Sequence, residues 1–345
     1  MKKVVIVKDF AMGDDRIAKF DFLKEYGVEI KVVTDRPGID EDGFSKMFLQ
    51  MEKQGPDSLD INEDLVREAE DADIIISHIS AVNSKAIENA KNLEAVCILR
   101  SGVENINVPN ATAHGVKVVN APGRLAIPVS EYTIGMIISE MKNIARSYAD
   151  IRNGGFTHSF PNAEYSANIS GLTVGIIGLG AIGKRVARVL EVMGANIVVY
   201  DPYMPAERVR DMGYDPVDLN ELCRRSDVIS VHFRLTAESE GLIGEEQFAC
   251  MKPTAFLINT ARAGLIDETA LITALTEHRI GGAALDVFHQ EPLPENHPFL
   301  TLDNVTLTAH MAGTCSDVFG ITFNIMKEAL VHYFETGEWI NVVNG

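Results

Sequence analysis

Three ionisable residues each stand just past a short apolar run: Arg262 after FLINTA, Glu291 after AALDVFHQ and His310 after VTLTA. An imidazole titrates near neutrality and can give or take a proton. A guanidinium presents forked donors that hold a carbonyl oxygen or a carboxylate. A carboxylate beside an imidazole orients it and favours its protonated form. Together these are the groups needed when a hydride reaches a ketone carbon: a proton donor for the alkoxide, a donor that polarises the carbonyl, and an orienting charge. Singly, each is an ordinary surface residue. Their weight comes from a shared position, because an open parallel sheet binds ligands beyond the carboxyl ends of its strands.

Upstream lies Gly178-Leu179-Gly180-Ala181-Ile182-Gly183, between the strand-like TVGII and a helix whose apolar positions are Ile182, Val186, Val189, Leu190 and Met193. Gly178 permits a tight turn, Gly180 lets the backbone approach a pyrophosphate, and Gly183 allows close helix–strand packing. Amides around Ala181 and Ile182 then open a helix N-terminus toward the phosphates. Asp201, eighteen residues after Gly183, closes the run IVVY. A carboxylate there accepts from ribose hydroxyls and repels a 2′-phosphate, which favours NAD over NADP.

The elements that must position these residues repeat in two series. Val4–Val7, Ile30–Val33, Ile74–Ile76, Val96–Leu99 and Val116–Val119 form the first. Thr173–Ile177, Asn196–Tyr200, Val228–Val231, Ala255–Asn259, Ala283–Val287 and Val305–Thr308 form the second. Helix-like segments separate the strands, so the pattern predicts two α/β domains with parallel sheets covered on both faces. A helix is expected from about Ser130 to Ala149, with Ile134, Ile137, Ile138, Met141 and Ile144 on one face. Asn153–Ser170 reads as a loop or arm that links the domains or packs on a partner subunit. Val318–Phe334 reads as a closing helix that packs back on the first domain.

Composition narrows the partners. Apolar residues make up 46% and charged residues 23% of 345 residues, the balance of a globular chain. The net charge of −18 disfavours nucleic acid and anionic membranes. No run reaches the length of a membrane span, and the apolar start of MKKVVIVKDF is too short for a signal peptide. Cys97, Cys223, Cys250 and Cys315 are scattered, which suggests buried thiols in a reducing compartment, not a disulfide frame or a metal site. A cytoplasmic protein is expected.

GLTVGIIGLGAIGKRVA, FLINTARAGLIDETAL, AALDVFHQEPLP and VTLTAHMAGT resemble the signature stretches of the D-isomer-specific 2-hydroxyacid dehydrogenases. With SGVENINVPNATAHGVKVVNAPG, the resemblance runs from about Asp71 to the C-terminus. It implies two doubly wound parallel-sheet domains. One is a Rossmann NAD-binding domain over 103–314; the other is a discontinuous flavodoxin-like substrate domain of 1–102 and 315–345. It implies catalytic roles for Arg262, Glu291 and His310. It adds His232, Thr260, Ala261, Asp286 and Gly313 to the cofactor site, with Asp286 on the nicotinamide carboxamide. Backbone groups of Ser101 and Gly102 would hold the substrate carboxylate, with Ile79, Arg100 and Arg124 nearby, and a homodimer would form through the cofactor domain.

The sequence departs from the family pattern in places. Ala309 replaces a usual proline before the histidine, and Phe233-Arg234 follow His232 where a proline is common two residues on. Ser77, beside His78, stands where phosphoglycerate dehydrogenases place an arginine, which counts against 3-phosphoglycerate and for a 2-oxo acid with a polar or hydroxylated tail. Two alternatives remain: a non-catalytic NAD(H)-sensing protein on the same scaffold, and a dehydrogenase of phosphite or formate. Formate enzymes usually carry Gln where Glu291 stands.

Overall fold

Every apolar run expected as a strand is one, and each lies in one of two all-parallel sheets. The computed structural model describes residues 1–345, the side chains of Glu41, Asp42, Ser45 and Glu52 excepted. The chain divides into two units, Met1–Arg124 with Ser316–Gly345, and Leu125–Cys315.

The first unit holds β1 (Lys3–Lys8), β2 (Glu29–Thr34), β3 (Ile74–Ser77), β4 (Ala95–Ile98) and β5 (Lys117–Val119), in the order β2-β1-β3-β4-β5. This is the flavodoxin-like order, with its switch point between β1 and β3. The period-2 alternation of β1 separates two cores. Val5 and Val7 pack with Leu65, Val66 and Ile87 on one face; Val4 and Ile6 pack with Phe20, Met326 and Leu330 on the other. Met326 and Leu330 belong to the closing helix Val318–Thr336, which covers this sheet as expected.

The second unit holds β6 (Thr173–Ile177), β7 (Asn196–Tyr200), β8 (Asp215–Pro216), β9 (Val228–Val231), β10 (Phe256–Asn259), β11 (Gly282–Leu285) and β12 (Val305–Leu307). Their order, β12-β11-β10-β9-β6-β7-β8, is the Rossmann arrangement with one further strand. β8 has no counterpart among the expected strands, because two edge residues ending in proline carry no apolar run.

Four expectations change. Residues 103–124, placed with the cofactor domain, belong to the first unit, because β5 pairs with β4 and the C-terminal Val343 amide donates to the Val118 carbonyl. The single helix Ser130–Ala149 is two, Ala126–Met141 and Ile144–Arg152. Asn143 breaks it in a left-handed conformation (φ 55°) that asparagine tolerates. The break lets Arg146 reach back at 2.8 Å to Glu140, which is fully buried and also accepts from the Thr306 hydroxyl. Burial pushes the Glu140 carboxyl up and Arg146 opposes it. The end of the arm folds onto its own unit: Tyr165 packs on the second core, and the buried Asn162 donates to the Glu140 carbonyl. Finally, the thiols are free, but Cys315 is exposed and Cys250 half-buried. Among the described residues no helix is long and apolar enough to cross a membrane.

Leu330 is fully buried, so Leu330→Ala should cost about 2–5 kcal/mol. Hydrogen exchange should show lost protection in β1 and β3 while the amides of β6 and β9 keep theirs. Equal loss in both sheets would contradict the assignment of the closing helix to the first unit.

Candidate active site

The second unit supplies a glycine turn, a histidine–carboxylate pair and an arginine, all following its strands. Gly178 sits at φ 92°, and a Cβ there would meet the His232 backbone at 2.9 Å. A Cβ at Gly183 would overlap the Gly178 carbonyl oxygen. Gly180 faces open space and begins the helix Ala181–Val192 without a side-chain cap. The first-turn amides, Ala181 and Ile182 among them, are therefore open to a phosphate. Asp201 accepts the Leu179 amide at 2.8 Å and the Tyr203 amide at 2.9 Å, so the residue expected to choose the cofactor also fixes the turn. Its remaining lone pairs suit ribose hydroxyls. These features fit a dinucleotide. His232 pairs with the Ser230 hydroxyl at 2.9 Å, and burial pushes its imidazole down to about 3, so it is neutral there.

His310 Nδ1 lies 2.8 Å from Glu291 Oε2, and both side chains are partly exposed. The other Glu291 oxygen accepts the Phe288 amide. This fixes which imidazole nitrogen faces outward: Nδ1 is held by the carboxylate and Nε2 is the one left to act. His310 is itself left-handed, at φ 53°, a conformation that costs a non-glycine residue energy and persists where the surroundings impose it. The imposition comes from Asp286, which is fully buried. Its Oδ1 accepts the Thr308 hydroxyl at 2.6 Å and the Met311 amide at 2.8 Å, and its Oδ2 accepts the Ala312 amide at 2.8 Å. Asp286 thus clamps the chain on both sides of His310. A contact from it to a nicotinamide carboxamide would have to use what remains of Oδ2. A cavity of about 460 Å³ opens beside the pair, walled by Phe288, Leu293, Leu300 and Leu307.

Arg262 is exposed and donates to the Ala261 carbonyl at 2.8 Å. Asn259 holds this turn from both sides, accepting the Ala261 amide and donating to the Arg262 carbonyl. Thr260 is buried against the Thr133 hydroxyl at 2.7 Å, a partner no sequence pattern marks. A Cβ at Gly313 would meet only the Leu125 side chain, at 3.4 Å.

The first unit carries the residues expected to bind substrate, also at strand ends. Ser101 Oγ donates to the Ala121 carbonyl, and Asn120 donates to the Ser101 carbonyl. The amides of Ser101 and Gly102 donate to no described residue, as a carboxylate-holding loop requires. The exposed Glu104 carboxylate lies against Gly102. The Ile79 amide is engaged by Asp9 at 2.8 Å, so Ile79 offers a side chain and not a donor. Ser77 is buried with its hydroxyl on the Ser80 carbonyl. Arg100 stacks on Phe48 at 4.5 Å, and Arg124 donates to the Thr322 hydroxyl at 3.3 Å. Arg16, which belongs to no motif of the sequence, lies 4.6 Å over the Phe319 ring. It follows β1 in the run GDDRI, a strand-end position that is its one signal in the chain. Among the described residues no cluster could hold a metal.

Residues 134–312 match the family described as D-isomer specific 2-hydroxyacid dehydrogenase, NAD binding domain. The D-3-phosphoglycerate dehydrogenase of Methanocaldococcus jannaschii is 40% identical over 82% of this chain, and the chain spans 53% of that relative's length. The glyoxylate reductase of Thermofilum pendens is 37% identical, over 72% of this chain and 75% of that protein. The crystal structure of a D-isomer specific 2-hydroxyacid dehydrogenase from Lactobacillus delbrueckii ssp. bulgaricus, in its NAD-complexed form, shares the fold. Its TM-score is 0.76 at 23% identity, over 99% of this chain and 100% of that one. The glycine turn with its acidic partner and the histidine–carboxylate pair lie within the matched segment, and the chain belongs to the D-isomer specific 2-hydroxyacid dehydrogenase family.

Proposed function

We propose that the protein is an NAD-dependent dehydrogenase that moves a hydride between the cofactor and C2 of a small 2-oxo or 2-hydroxy acid with a polar or hydroxylated tail. The observation that carries this reading is the His310–Glu291 pair at 2.8 Å, on a loop clamped by a buried carboxylate. Bound NADH supplies the hydride, and the chain supplies the proton. His310 Nε2 gives it to the substrate oxygen as C2 becomes tetrahedral, and takes it back in oxidation. Glu291 holds the ring by Nδ1 and steadies the imidazolium. Arg262, exposed and free to turn about its side-chain bonds, polarises the carbonyl and steers the carboxylate. Ser101 and Gly102 take that carboxylate on their amides; Ile79, Arg100 and Arg124 serve the tail. Ser77 weighs less against a phosphorylated acid than its position alone implies, because Arg16 brings a cation to the ends of the same strands.

A homodimer through the cofactor-binding unit is supported by an apolar face on the helix Ile144–Arg152. Ile144, Tyr148 and Ile151 recur at helical spacing and are exposed, with Phe156 beyond them. The free thiols accord with a reducing, cytoplasmic compartment. Sedimentation velocity should show a dimer, and Tyr148→Glu with Ile151→Glu should yield monomers. A wild-type monomer at micromolar concentration would refute this.

Three kinetic outcomes are expected. NADH oxidation against a panel of 2-oxo acids should show turnover with NADH well above that with NADPH; Asp201→Asn, which keeps an acceptor for the Leu179 amide, should narrow the preference about tenfold, or about 1.4 kcal/mol. Equal kcat/KM for both cofactors in the wild type would sink the NAD assignment. His310→Ala should lower kcat about 10²–10⁴-fold while NADH still binds. Glu291→Gln removes the carboxylate that holds the ring by Nδ1, so reductive kcat should fall while NADH still binds. A kcat equal to that of the wild type would contradict the role given to Glu291.

A further inference from the structure

The carboxyl ends of β1, β3, β4 and β5 in the first unit deliver Arg16, His78, Arg100 and Arg124 to one edge of a single sheet. That edge contains the switch point between β1 and β3, where doubly wound sheets take their ligands. Phe319 and Thr322, one turn apart on the closing helix, mark where three of them meet. Arg16 lies 4.6 Å over the Phe319 ring. His78 meets the same ring edge-on at 6.4 Å. Arg124 reaches Thr322.

Two members of this cluster, Arg16 and Arg124, have no counter-charge among the described residues. Neither Arg16 nor Arg124 forms an ion pair with a described residue; what they have is a carbonyl, a hydroxyl and a ring face. Arg124 is partly buried, and burial followed by Arg100 lowers it to about 10, so it is charged at neutral pH. His78 is only 8% exposed, and its Nδ1 has no partner. Arg124 Nε is buried and unpartnered too. Burial, then Arg124, Arg100 and Arg16, push His78 down to about 3, so it offers a ring nitrogen without adding a fourth charge. Holding cations together at a buried edge without a counter-charge is costly. A stacking role accounts for Arg16 on Phe319, but not for Arg124 or for the orphaned nitrogen of His78.

We propose that Arg16, Arg100, Arg124 and His78 form a subsite for a second anionic group, a carboxylate or a phosphate, on the tail of the acid substrate. The subsite rests on the function proposed above, in which the Ser101–Gly102 loop takes the C1 carboxylate. That loop follows Arg100 directly, so an acid seated there extends its tail along the edge that carries the arginines. One carboxylate on the loop amides leaves the charges of Arg16 and Arg124 without an anion among the described residues; a second anion answers them. Charge-assisted hydrogen bonds of this kind are the stronger ones, and guanidinium forks fit both carboxylate and phosphate.

The test is a specificity series with NADH: glyoxylate and hydroxypyruvate with one charge on the acid, oxaloacetate and 2-oxoglutarate with a second carboxylate, and 3-phosphohydroxypyruvate with a phosphate. At least one doubly charged acid should exceed hydroxypyruvate in kcat/KM about 30-fold, and which class does so identifies the anion. Arg16→Met and Arg124→Met should each cut that ratio about tenfold or more, chiefly through KM, with Arg16→Lys and Arg124→Lys recovering part of it. Hydroxypyruvate equal to or better than every doubly charged acid, or a ratio indifferent to both Met variants, would overturn the proposal. If no oxo acid is reduced, the dehydrogenase reading fails, and calorimetric titration with malonate and with inorganic phosphate decides the subsite by itself. Binding by the wild type that weakens in Arg124→Met supports it; no binding of either anion by the wild type overturns it.

Discussion

The three hydrogen bonds accepted by the buried Asp286 carboxylate organise the loop that carries His310. A carboxylate with no exposed surface is tolerated only when its oxygens are satisfied. Here the partners are Thr308, Met311 and Ala312, which flank His310. Satisfying the charge therefore fixes the loop, and fixing the loop places His310 in its left-handed conformation with Nδ1 against Glu291. Ala309 supplies none of the stiffness that proline would bring; Asp286 holds the segment by hydrogen bonds instead. A residue implied as a cofactor contact is, on its own geometry, the residue that positions His310.

The glycine turn also uses one carboxylate twice. Asp201 binds the Leu179 and Tyr203 amides, so the one acid at the end of β7 pins both the glycine turn and the segment that follows its own strand. Gly178 and Gly183 meet their own chain and cannot carry side chains, whereas Gly180 meets nothing of the protein. The first two are demanded by packing within the chain, and the third is not.

In the first unit, strand-end position predicts less well which groups are available. The amides of Ser101 and Gly102 donate to no described residue. Ile79 does not offer its amide, because Asp9 already holds it. Ser77, read as the loss of a cation, is a buried hydroxyl turned inward, and the positive charge of that edge comes from elsewhere in the chain. Arg16 and Arg124 are 108 positions apart in sequence and are brought to neighbouring turns of the closing helix by the sheet order alone.

What the sequence determined by itself was what repeats or what is locally constrained. The apolar runs specify eleven of the twelve strands, because burial on both faces of a parallel sheet demands them. The GxGxxG turn and Asp201 declare a dinucleotide site, since Gly178 and Gly183 have no room for a side chain and Gly180 leaves the helix N-terminus open. Arg262, Glu291 and His310 were legible from their place after strands. What needed the tertiary structure was every contact between distant segments. The break at Asn143 exists because Glu140 is buried and Arg146 must return to it. Residues 103–124 join the first unit because β5 finds β4. The clamp of Asp286 on the His310 loop, and the gathering of Arg16, His78 and Arg124 around Phe319 and Thr322, depend on strand order and helix packing. Neither leaves a periodic trace in the chain, because a hydrogen bond or an uncompensated charge between remote residues is settled by which elements become neighbours, not by the spacing within any one of them.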